Sequence, residues 1–179
     1  MVRIWLVGTS GSGKSTLARA IQARTSAKWI QLDAVYHQPN WTALPTAEFR
    51  EIMAEVVDEE SWVVDGNYIE TIGDLVAARA DLLVLLDLPK RSVMRQVIWR
   101  TARRMITGEE LWNGNRERPR DVFCLDKDRS IVVWAWVTHG QSGKRIAKLW
   151  ANLEHPAPRV VRLRSRRQIN QFLAELPGR

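Results

Sequence analysis

One short stretch constrains the fold more than any other: the segment GTSGSGKST at residues 8–16, directly behind the apolar run IWLV at residues 4–7. It fits the pattern G-x-x-x-x-G-K-[S/T] of a phosphate-binding loop. In such a loop a strand ends in a tight glycine turn, and a helix begins immediately afterwards. Backbone N–H groups and the positive helix N-terminus then point to one place, where a phosphate group binds.

The chemistry of this pattern predicts binding of ATP with Mg²⁺. Lys14 is expected to reach the β- and γ-phosphates, and the Ser15 hydroxyl to ligate Mg²⁺. The residues expected to contact the nucleotide here are Gly8, Ser10, Gly11, Ser12, Gly13, Lys14, Ser15 and Thr16. The alternative is a Gly/Ser turn that binds nothing. A second Gly-Lys pair, Gly143-Lys144, lacks both the upstream glycine and the strand, and is interpreted as a helix break.

Apolar runs alternate with helical patterns along the whole chain. Strands are predicted at residues 2–7, 29–32, 62–64, 82–86 and 160–163, and helices at 15–25, 48–60, 91–106, 128–153 (interrupted near Gly140 and Gly143) and 166–176. This alternation is typical of an α/β protein with a parallel sheet and helices on both faces. A length of 179 residues predicts a single domain over residues 1–179.

Several carboxylates follow predicted strands, where the ligands of parallel α/β sheets bind. Asp65 and Asp87 are both candidates for the carboxylate near Mg²⁺, acting through water, and Asp65 is favoured. Asp33 ends the second predicted strand and is expected to hold the acceptor or take its proton as a general base. His37, four residues later, is interpreted as a solvated loop histidine.

Arginines are concentrated in one helix and the polar loop after it. Arg100 and Arg104 are four residues apart and therefore share a helix face. Arg116 and Arg118 follow in the Gly- and Pro-containing loop. Together with Lys14 and Asp33, Arg104, Arg116 and Arg118 are the candidate catalytic residues, because arginines stabilise the charge of phosphoryl transfer. The alternative is a solvated basic surface.

With these residues in view, the chain resembles the adenylate-kinase-like branch of P-loop kinases, and within it the bacterial topology modulation proteins. The segments that carry the resemblance are GTSGSGKSTLAR, QLDAVYHQPNW, WVVDGNY, LLVLLDLP, WRTARR and VVRLRS. The resemblance implies a three-layer α/β/α P-loop kinase fold with a five-stranded parallel sheet in the order 2-3-1-4-5. It also implies an acceptor-side segment at about residues 33–60 and a small lid at about residues 105–125.

Residue roles follow from the same resemblance. It supports Asp65 as the carboxylate on the magnesium side, places Arg100 beside the adenine, and brings Arg104 and the lid arginines to the phosphates. Arg164 would lie in the loop that borders the base. Asp33 matches the position at which related small-molecule kinases hold or deprotonate the acceptor hydroxyl.

The chain departs from adenylate kinases at one place. After Asp-Gly, those enzymes carry Phe-Pro-Arg, whose arginine binds the acceptor monophosphate, whereas this chain has Asn67-Tyr68-Ile69. Arg50, on the predicted helix at residues 48–60 over the acceptor site, is a possible substitute. The departure implies an acceptor that is an uncharged or hydroxylated small molecule, or no acceptor at all.

Charge and cysteine content suggest partners and location. Residues 1–90 carry a net charge of −4 and residues 91–179 a net charge of +11, so a nucleic-acid partner is possible. It is not favoured because the sequence contains no recognisable readout module. A single cysteine and no apolar run of 18 residues fit a cytoplasmic protein with no membrane partner, either monomer or homodimer. The expected function is phosphoryl transfer from ATP to a small-molecule or nucleotide acceptor; the alternatives are a nucleotide-dependent regulatory protein associated with DNA topology and a plain NTPase.

Overall fold

Five of the strands form one parallel sheet in the computed structural model, which describes residues 1–117, 130–153 and 155–176. In chain order the strands are β1 (Arg3–Gly8), β2 (Lys28–Gln31), β3 (His37–Gln38), β4 (Thr42–Ala43), β5 (Trp62–Asp65), β6 (Leu82–Leu86) and β7 (Arg159–Leu163). The sheet order is β2-β5-β1-β6-β7, and each neighbouring pair runs parallel. Counted along the chain without the separate β3–β4 hairpin, this is the predicted order 2-3-1-4-5.

Helices cover both faces of the sheet. Those of the described residues are α1 (Lys14–Thr25), α2 (Leu32–Tyr36), α3 (Thr46–Asp58), α4 (Ile69–Arg79), α5 (Lys90–Thr107), α6 (Ile131–Thr138), α7 (Gln141–Trp150) and α8 (Arg166–Glu175), with short 3-10 turns at Pro39–Trp41 and Trp112–Gly114. Within the described part of the chain, no helix is both long and apolar enough to cross a membrane.

The alternation of side chains along β1 separates two halves of the core. Trp5 and Val7 point to one face, where they pack with residues of α3, α4 and α7. Ile4 and Leu6 point to the other face, against α1 and α8. Since successive strand residues face opposite sides and both sides are covered, the strand reads as a continuous apolar run. The predicted three-layer α/β/α architecture is confirmed.

Some described elements differ from those expected. The predicted helix over residues 128–153 is interrupted at Gly140 as expected, where the backbone is left-handed (φ 79°), but Gly143 lies inside α7 rather than at a break. The helix α4 was not predicted, and neither was the hairpin β3–β4. In α4 the buried residues include Ile72 and Val76, four residues apart, but Gly73 and Asp74 between them weaken the helical pattern in the sequence.

Gly11 gives a stability prediction. It has a φ of 79°, and a Cβ added there would lie 2.3 Å from Cγ2 of Val97 on α5. Gly11→Ala is expected to lower the free energy of unfolding by about 2–4 kcal/mol, through left-handed strain and steric overlap. Chemical denaturation measures the change. The matched control is Gly143→Ala, where no atom beyond its own helix backbone and chain neighbours lies within 4 Å of the added Cβ; it should raise stability by roughly 0.5–1 kcal/mol. Equal effects of the two substitutions would contradict the prediction.

Candidate active site

A cavity of about 1370 Å³ lies at the carboxyl edge of the sheet. The sequence-predicted residues that line it are Ser10, Gly11, Gly13, Lys14, Ser15, Thr16, Asp33, Asp65, Arg100, Arg104 and Arg116. Gly8 and Ser12 are buried in the loop beneath it. Arg118 falls outside the described residues. The topology therefore brings most of the predicted set to one place, because parallel strands end at the same sheet edge.

The turn at residues 8–13 leaves room beside its backbone. The N–H of Ser12 donates to the carbonyl of Thr9 over 3.0 Å, which closes the turn. Gly13 has a φ of 95° and, where a side chain would begin, no other atom within 4 Å. Because α1 starts at Lys14, its unpaired first N–H groups face this open space. The arrangement fits a phosphate group at the helix N-terminus.

Lys14 is a partly buried cation beside the phosphate loop. Its Nζ donates to the carbonyl oxygens of Gly8 (2.7 Å) and Thr9 (3.3 Å). Burial lowers the pKa of Lys14, while the carboxylates of Asp65 and Asp33 oppose that shift. An ammonium group that is desolvated and bonded to carbonyl oxygens gains strongly from an anionic ligand.

Asp65 is the carboxylate beside this lysine. It ends β5, and its burial raises its pKa, while Lys14 and a hydrogen bond from the Ser15 hydroxyl lower it. Asp87, the other candidate, is not in the lining and is held by Arg162 at 2.5 Å. The Ser15 hydroxyl and the Asp65 carboxylate are oxygen groups of the type that Mg²⁺ prefers. The two residues therefore fit a magnesium ion bound beside the phosphate loop.

Asn67 fastens the phosphate loop to β5, a role that the sequence did not suggest. Its Nδ2 donates to the carbonyl of Gly8 (2.7 Å), and its Oδ1 accepts from the N–H of Gly8 (2.9 Å). The side-chain amide thus pairs with both backbone groups of the residue that begins the loop. The DGNY segment quoted for the resemblance contains this residue, but only the register between β1 and β5 brings it to Gly8.

Asp33, Tyr68 and His37 form a second polar group across the cavity. The Tyr68 hydroxyl donates to Oδ1 of Asp33 over 2.9 Å and lies 3.4 Å from Nε2 of His37. Burial and the nearby Asp33 raise the pKa of Tyr68, so the hydroxyl keeps its proton. Burial lowers the pKa of His37, which favours the neutral ring. Because a hydroxyl has one proton, His37 contacts Tyr68 as a donor through Nε2–H. His37 is therefore not the solvated loop histidine that the sequence suggested.

The helix α5 brings two of the predicted arginines to the site. Arg100 donates to the Ser10 hydroxyl over 3.0 Å, and burial lowers its pKa. Arg104 is paired with Glu117 at 3.0 Å, and both side chains are largely buried, with exposures of 14% and 11%. Arg104 lines the cavity and its partner Glu117 comes from the loop that follows α5. A phosphoryl group in the cavity could therefore take the place of Glu117.

Residues 111–116, which we call the docking segment, contact the β3–β4 hairpin. Asn113 donates to the carbonyls of Ala34 (3.0 Å) and His37 (2.6 Å). The N–H of Trp41 donates to Oδ1 of Asn115 over 2.9 Å. These long-range contacts bring the first half of the predicted lid against the acceptor-side segment. The paired amides had no recognisable signal in the sequence, because asparagine in a loop usually indicates a turn.

Two arginines lie elsewhere. Arg164 follows β7 as predicted, but it is exposed, does not line the cavity and has its Nε 3.8 Å from Asp87. Arg50 does not line the cavity and pairs with Asp74 at 2.7 Å. The Asp74 hydrogen bond raises the pKa of Arg50. The suggested replacement for the missing acceptor-binding arginine is therefore held in a different contact.

The comparisons with known proteins agree with this architecture. No protein-family model matches the chain, and no curated protein matches it in sequence. A shikimate kinase from Bacteroides thetaiotaomicron matches with a TM-score of 0.51 and 18% identity, covering 97% of this chain and 94% of that one. A shikimate kinase from Acinetobacter baumannii in complex with shikimate matches with 0.52 and 15%, covering 95% and 89%. An unliganded sugar kinase from Janibacter sp. HTCC2649 matches with 0.50 and 16%, covering 97% and 91%. At such identities the similarity shows the fold alone: the chain has a P-loop kinase fold.

Proposed function

We propose that this protein transfers the γ-phosphoryl group of ATP to a small-molecule or nucleotide acceptor. One observation carries the proposal: the phosphate loop with Lys14 and the Asp33–Tyr68 pair open into the same cavity. A phosphate donor at the loop and an acceptor hydroxyl at Asp33 could therefore bind in contact with each other inside one cavity. The solved structures of the same fold are kinases, one of them in complex with shikimate, which supports a small-molecule acceptor.

The nucleotide end of the site would work by charge and position. Lys14 and the loop N–H groups would hold the β- and γ-phosphates. Ser15, with Asp65 acting through water, would hold Mg²⁺, which supplies charge neutralisation to the phosphates. Arg100, through its contact with Ser10, would border the nucleotide beside the loop. Arg164 would have to leave its position near Asp87 to reach the base, as the family resemblance implies.

At the acceptor end, Asp33 would accept the proton of the attacking hydroxyl. The acceptor oxygen forms a bond to the γ-phosphorus as the bond between that phosphorus and the β,γ-bridging oxygen breaks. The products are the phosphorylated acceptor and ADP, and the proton moves to Asp33. Tyr68 donates to Oδ1 of Asp33, which fixes the carboxylate and leaves Oδ2 for the acceptor. Arg104, Arg116 and Arg118 would stabilise the charge on the transferred group.

The finer features belong to the same proposal. We treat residues 1–179 as one kinase-like domain, with an acceptor-side segment at about 33–60 and a lid at about 105–125. We propose a cytoplasmic protein, because the cytoplasm supplies ATP. We further propose that it is a monomer or a homodimer. Membership of the topology modulation proteins remains a hypothesis from the quoted segments, without support from the comparisons.

A phosphotransfer screen tests the function. Purified protein is incubated with γ-labelled ATP, Mg²⁺ and candidate acceptors: nucleoside monophosphates, nucleosides, sugars and shikimate-like alcohols. Acceptor-dependent transfer of label supports the kinase. ATP hydrolysis that no acceptor stimulates would indicate an NTPase. DNA binding that weakens steeply with salt, without any transfer, would instead favour the regulatory protein, for which the exposed residues Arg159, Arg166 and Arg167 near β7 are available.

Arg104 gives a kinetic prediction. Arg104→Ala is expected to lower kcat about 100-fold and to change the ATP dissociation constant less than threefold, because its charge is needed mainly by the transferred group. Arg103→Ala is the matched control, since the neighbouring side chain is 60% exposed and pairs with Glu109 at 2.6 Å. Steady-state kinetics and calorimetry measure the two quantities. A larger loss of ATP affinity than of turnover would make Arg104 a contact of the bound nucleotide only.

A further inference from the structure

The acceptor end of the cavity has an aromatic wall, formed by His37, Trp41 and Trp112, which we call the aromatic rim. The rings of His37 and Trp112 are nearly parallel, with 21° between planes and centroids 6.2 Å apart. Trp41 lies across both, at 5.3 Å from His37 and 6.4 Å from Trp112. All three residues line the cavity. The rim thus offers flat apolar surface to a ligand.

Trp41 is held in this rim at a conformational cost. Its φ of 59° lies in the left-handed region, which is rare for a bulky side chain. The Asn115 side chain fixes its backbone N–H at 2.9 Å, and its own Nε1 donates to the carbonyl of Arg116 over 3.3 Å. Unfavourable backbone conformations that surrounding contacts maintain are concentrated at ligand-binding sites. Trp41 nevertheless remains 37% exposed.

The rim is connected directly to the proposed general base. His37 lies 3.4 Å from the Tyr68 hydroxyl, which donates to Asp33. A ring packed on the rim would therefore have a hydroxyl within reach of the Asp33 carboxylate. Asp33 itself forms no ion pair within the described parts of the chain.

The arginines at this end of the cavity are already paired. Arg116 lies 3.6 Å from Glu110, and Arg145 lies 3.8 Å from Glu70. Arg50 is outside the lining and pairs with Asp74. Of the described arginines in the lining, Arg116 and Arg145 thus each have a carboxylate neighbour, whereas Arg100 is bonded to Ser10 of the phosphate loop, at the nucleotide end. Asp33 and Glu110 would repel a phosphate or carboxylate group.

We propose, on the basis of the function proposed above, that the acceptor is an uncharged polyhydroxylated ring, a neutral sugar or cyclitol. Its apolar C–H face packs on the aromatic rim, since aromatic side chains present a large apolar surface. One of its hydroxyl groups donates to Asp33 and is the phosphoryl acceptor. The remaining hydroxyls face the polar part of the cavity.

Direct binding tests the substrate class separately from catalysis. The probes are glucose, glucuronate and glucosamine, with myo-inositol and a library of neutral sugars, each titrated into the protein saturated with Mg²⁺ and a non-hydrolysable ATP analogue. We expect a neutral ring to bind at least tenfold tighter than its carboxylate and amine counterparts. Tighter or equal binding of the charged counterparts, or no saturable binding of any neutral ring, would overturn the inference.

Variants of Trp112 test the role of the rim. Its Nε1 also donates to Gln31 over 3.2 Å, so two substitutions are needed. Trp112→Ala should weaken binding of the neutral ring about tenfold, whereas Trp112→Phe, which keeps an aromatic face, should change it less than threefold. Trp136→Ala is the matched control, because Trp136 is 57% exposed and lies outside the cavity lining. Equal losses in both Trp112 variants would assign the effect to the hydrogen bond and contradict ring stacking.

Transfer assays with the same probes separate this inference from the proposed function. Binding of a neutral ring without transfer of label to any tested acceptor would overturn the proposed kinase activity, and only the binding of a neutral ring at the aromatic rim would stand. Phosphorylation of an anionic acceptor alone would support the kinase activity and overturn the inference that the acceptor is neutral.

Discussion

Lys14→Ala is expected to weaken ATP binding by about 10³-fold and to leave no measurable phosphoryl transfer. In the proposed complex the ammonium group forms charge-assisted hydrogen bonds to the β- and γ-phosphates, each worth about 1.5–3 kcal/mol, and two such bonds account for this loss. The Gly8 and Thr9 carbonyls already hold the lysine side chain in place, so the side chain loses little conformational entropy when ATP binds. Isothermal titration with ATP and Mg²⁺ measures the change.

The control for this substitution lies in the same sequence. Lys144→Ala removes an exposed lysine that also follows a glycine, but in the middle of α7, and it should leave ATP affinity unchanged. A wild-type dissociation constant in Lys14→Ala would refute the phosphate-binding role of the loop. Circular dichroism should first show that both variants fold.

The pH dependence of the free energy of unfolding gives an independent test of Lys14→Ala. Burial raises the pKa of Asp65, and Lys14 partly offsets the shift, so removing Lys14 should raise that pKa further. A carboxyl whose folded pKa is above its unfolded value stabilises the fold below the unfolded pKa, and this stability is lost as pH rises through the folded pKa. Lys14→Ala should therefore lose stability more steeply than wild type as pH rises above the normal carboxylic range.

The sequence predicts a helix or strand well where the residues of that element alone carry its apolar pattern. β6 is covered on both faces and therefore needs apolar residues throughout. Its five consecutive apolar residues predict the strand with the bounds that the structure has, Leu82–Leu86. The helix α4 is harder, because its burial depends on packing against α3 and α7, and Gly73 stands where Leu149 of α7 approaches closely. Tertiary packing, rather than local propensity, forms that helix.

The same distinction applies to the candidate site. Lys14 and Ser15 follow from a motif whose spacing carries its own mechanism. The clamp of Asn67 on Gly8 and the bond from Tyr68 to Asp33 join residues 59 and 35 positions apart. No single-sequence pattern encodes such pairs. The burial of His37 likewise depends on Trp41 and Trp112, the latter in a segment that the sequence could only describe as a polar loop.

Asp33→Asn is expected to lower kcat about 10³-fold while the ATP dissociation constant changes less than threefold. The amide is nearly isosteric with the carboxylate and can still accept from Tyr68 through its oxygen, so the shape of the acceptor site should be kept. It cannot take the proton of the attacking hydroxyl, and loss of a general base costs typically 10²–10⁴-fold. Single-turnover transfer to an identified acceptor, together with calorimetry for ATP, separates the two effects.

Asp58→Asn is the matched control, because Asp58 is 65% exposed and pairs with Arg79 at the end of α3, so both quantities should match wild type. Asp33 contributes to the charge around Lys14, so the measurement of ATP affinity is needed to separate an effect through Lys14 from one at the acceptor. If ATP affinity and turnover fell by the same factor, Asp33 would act through Lys14 and belong to the phosphate site. Loss of turnover alone would place its role at the acceptor, because only the step that removes a proton from the acceptor needs a base there.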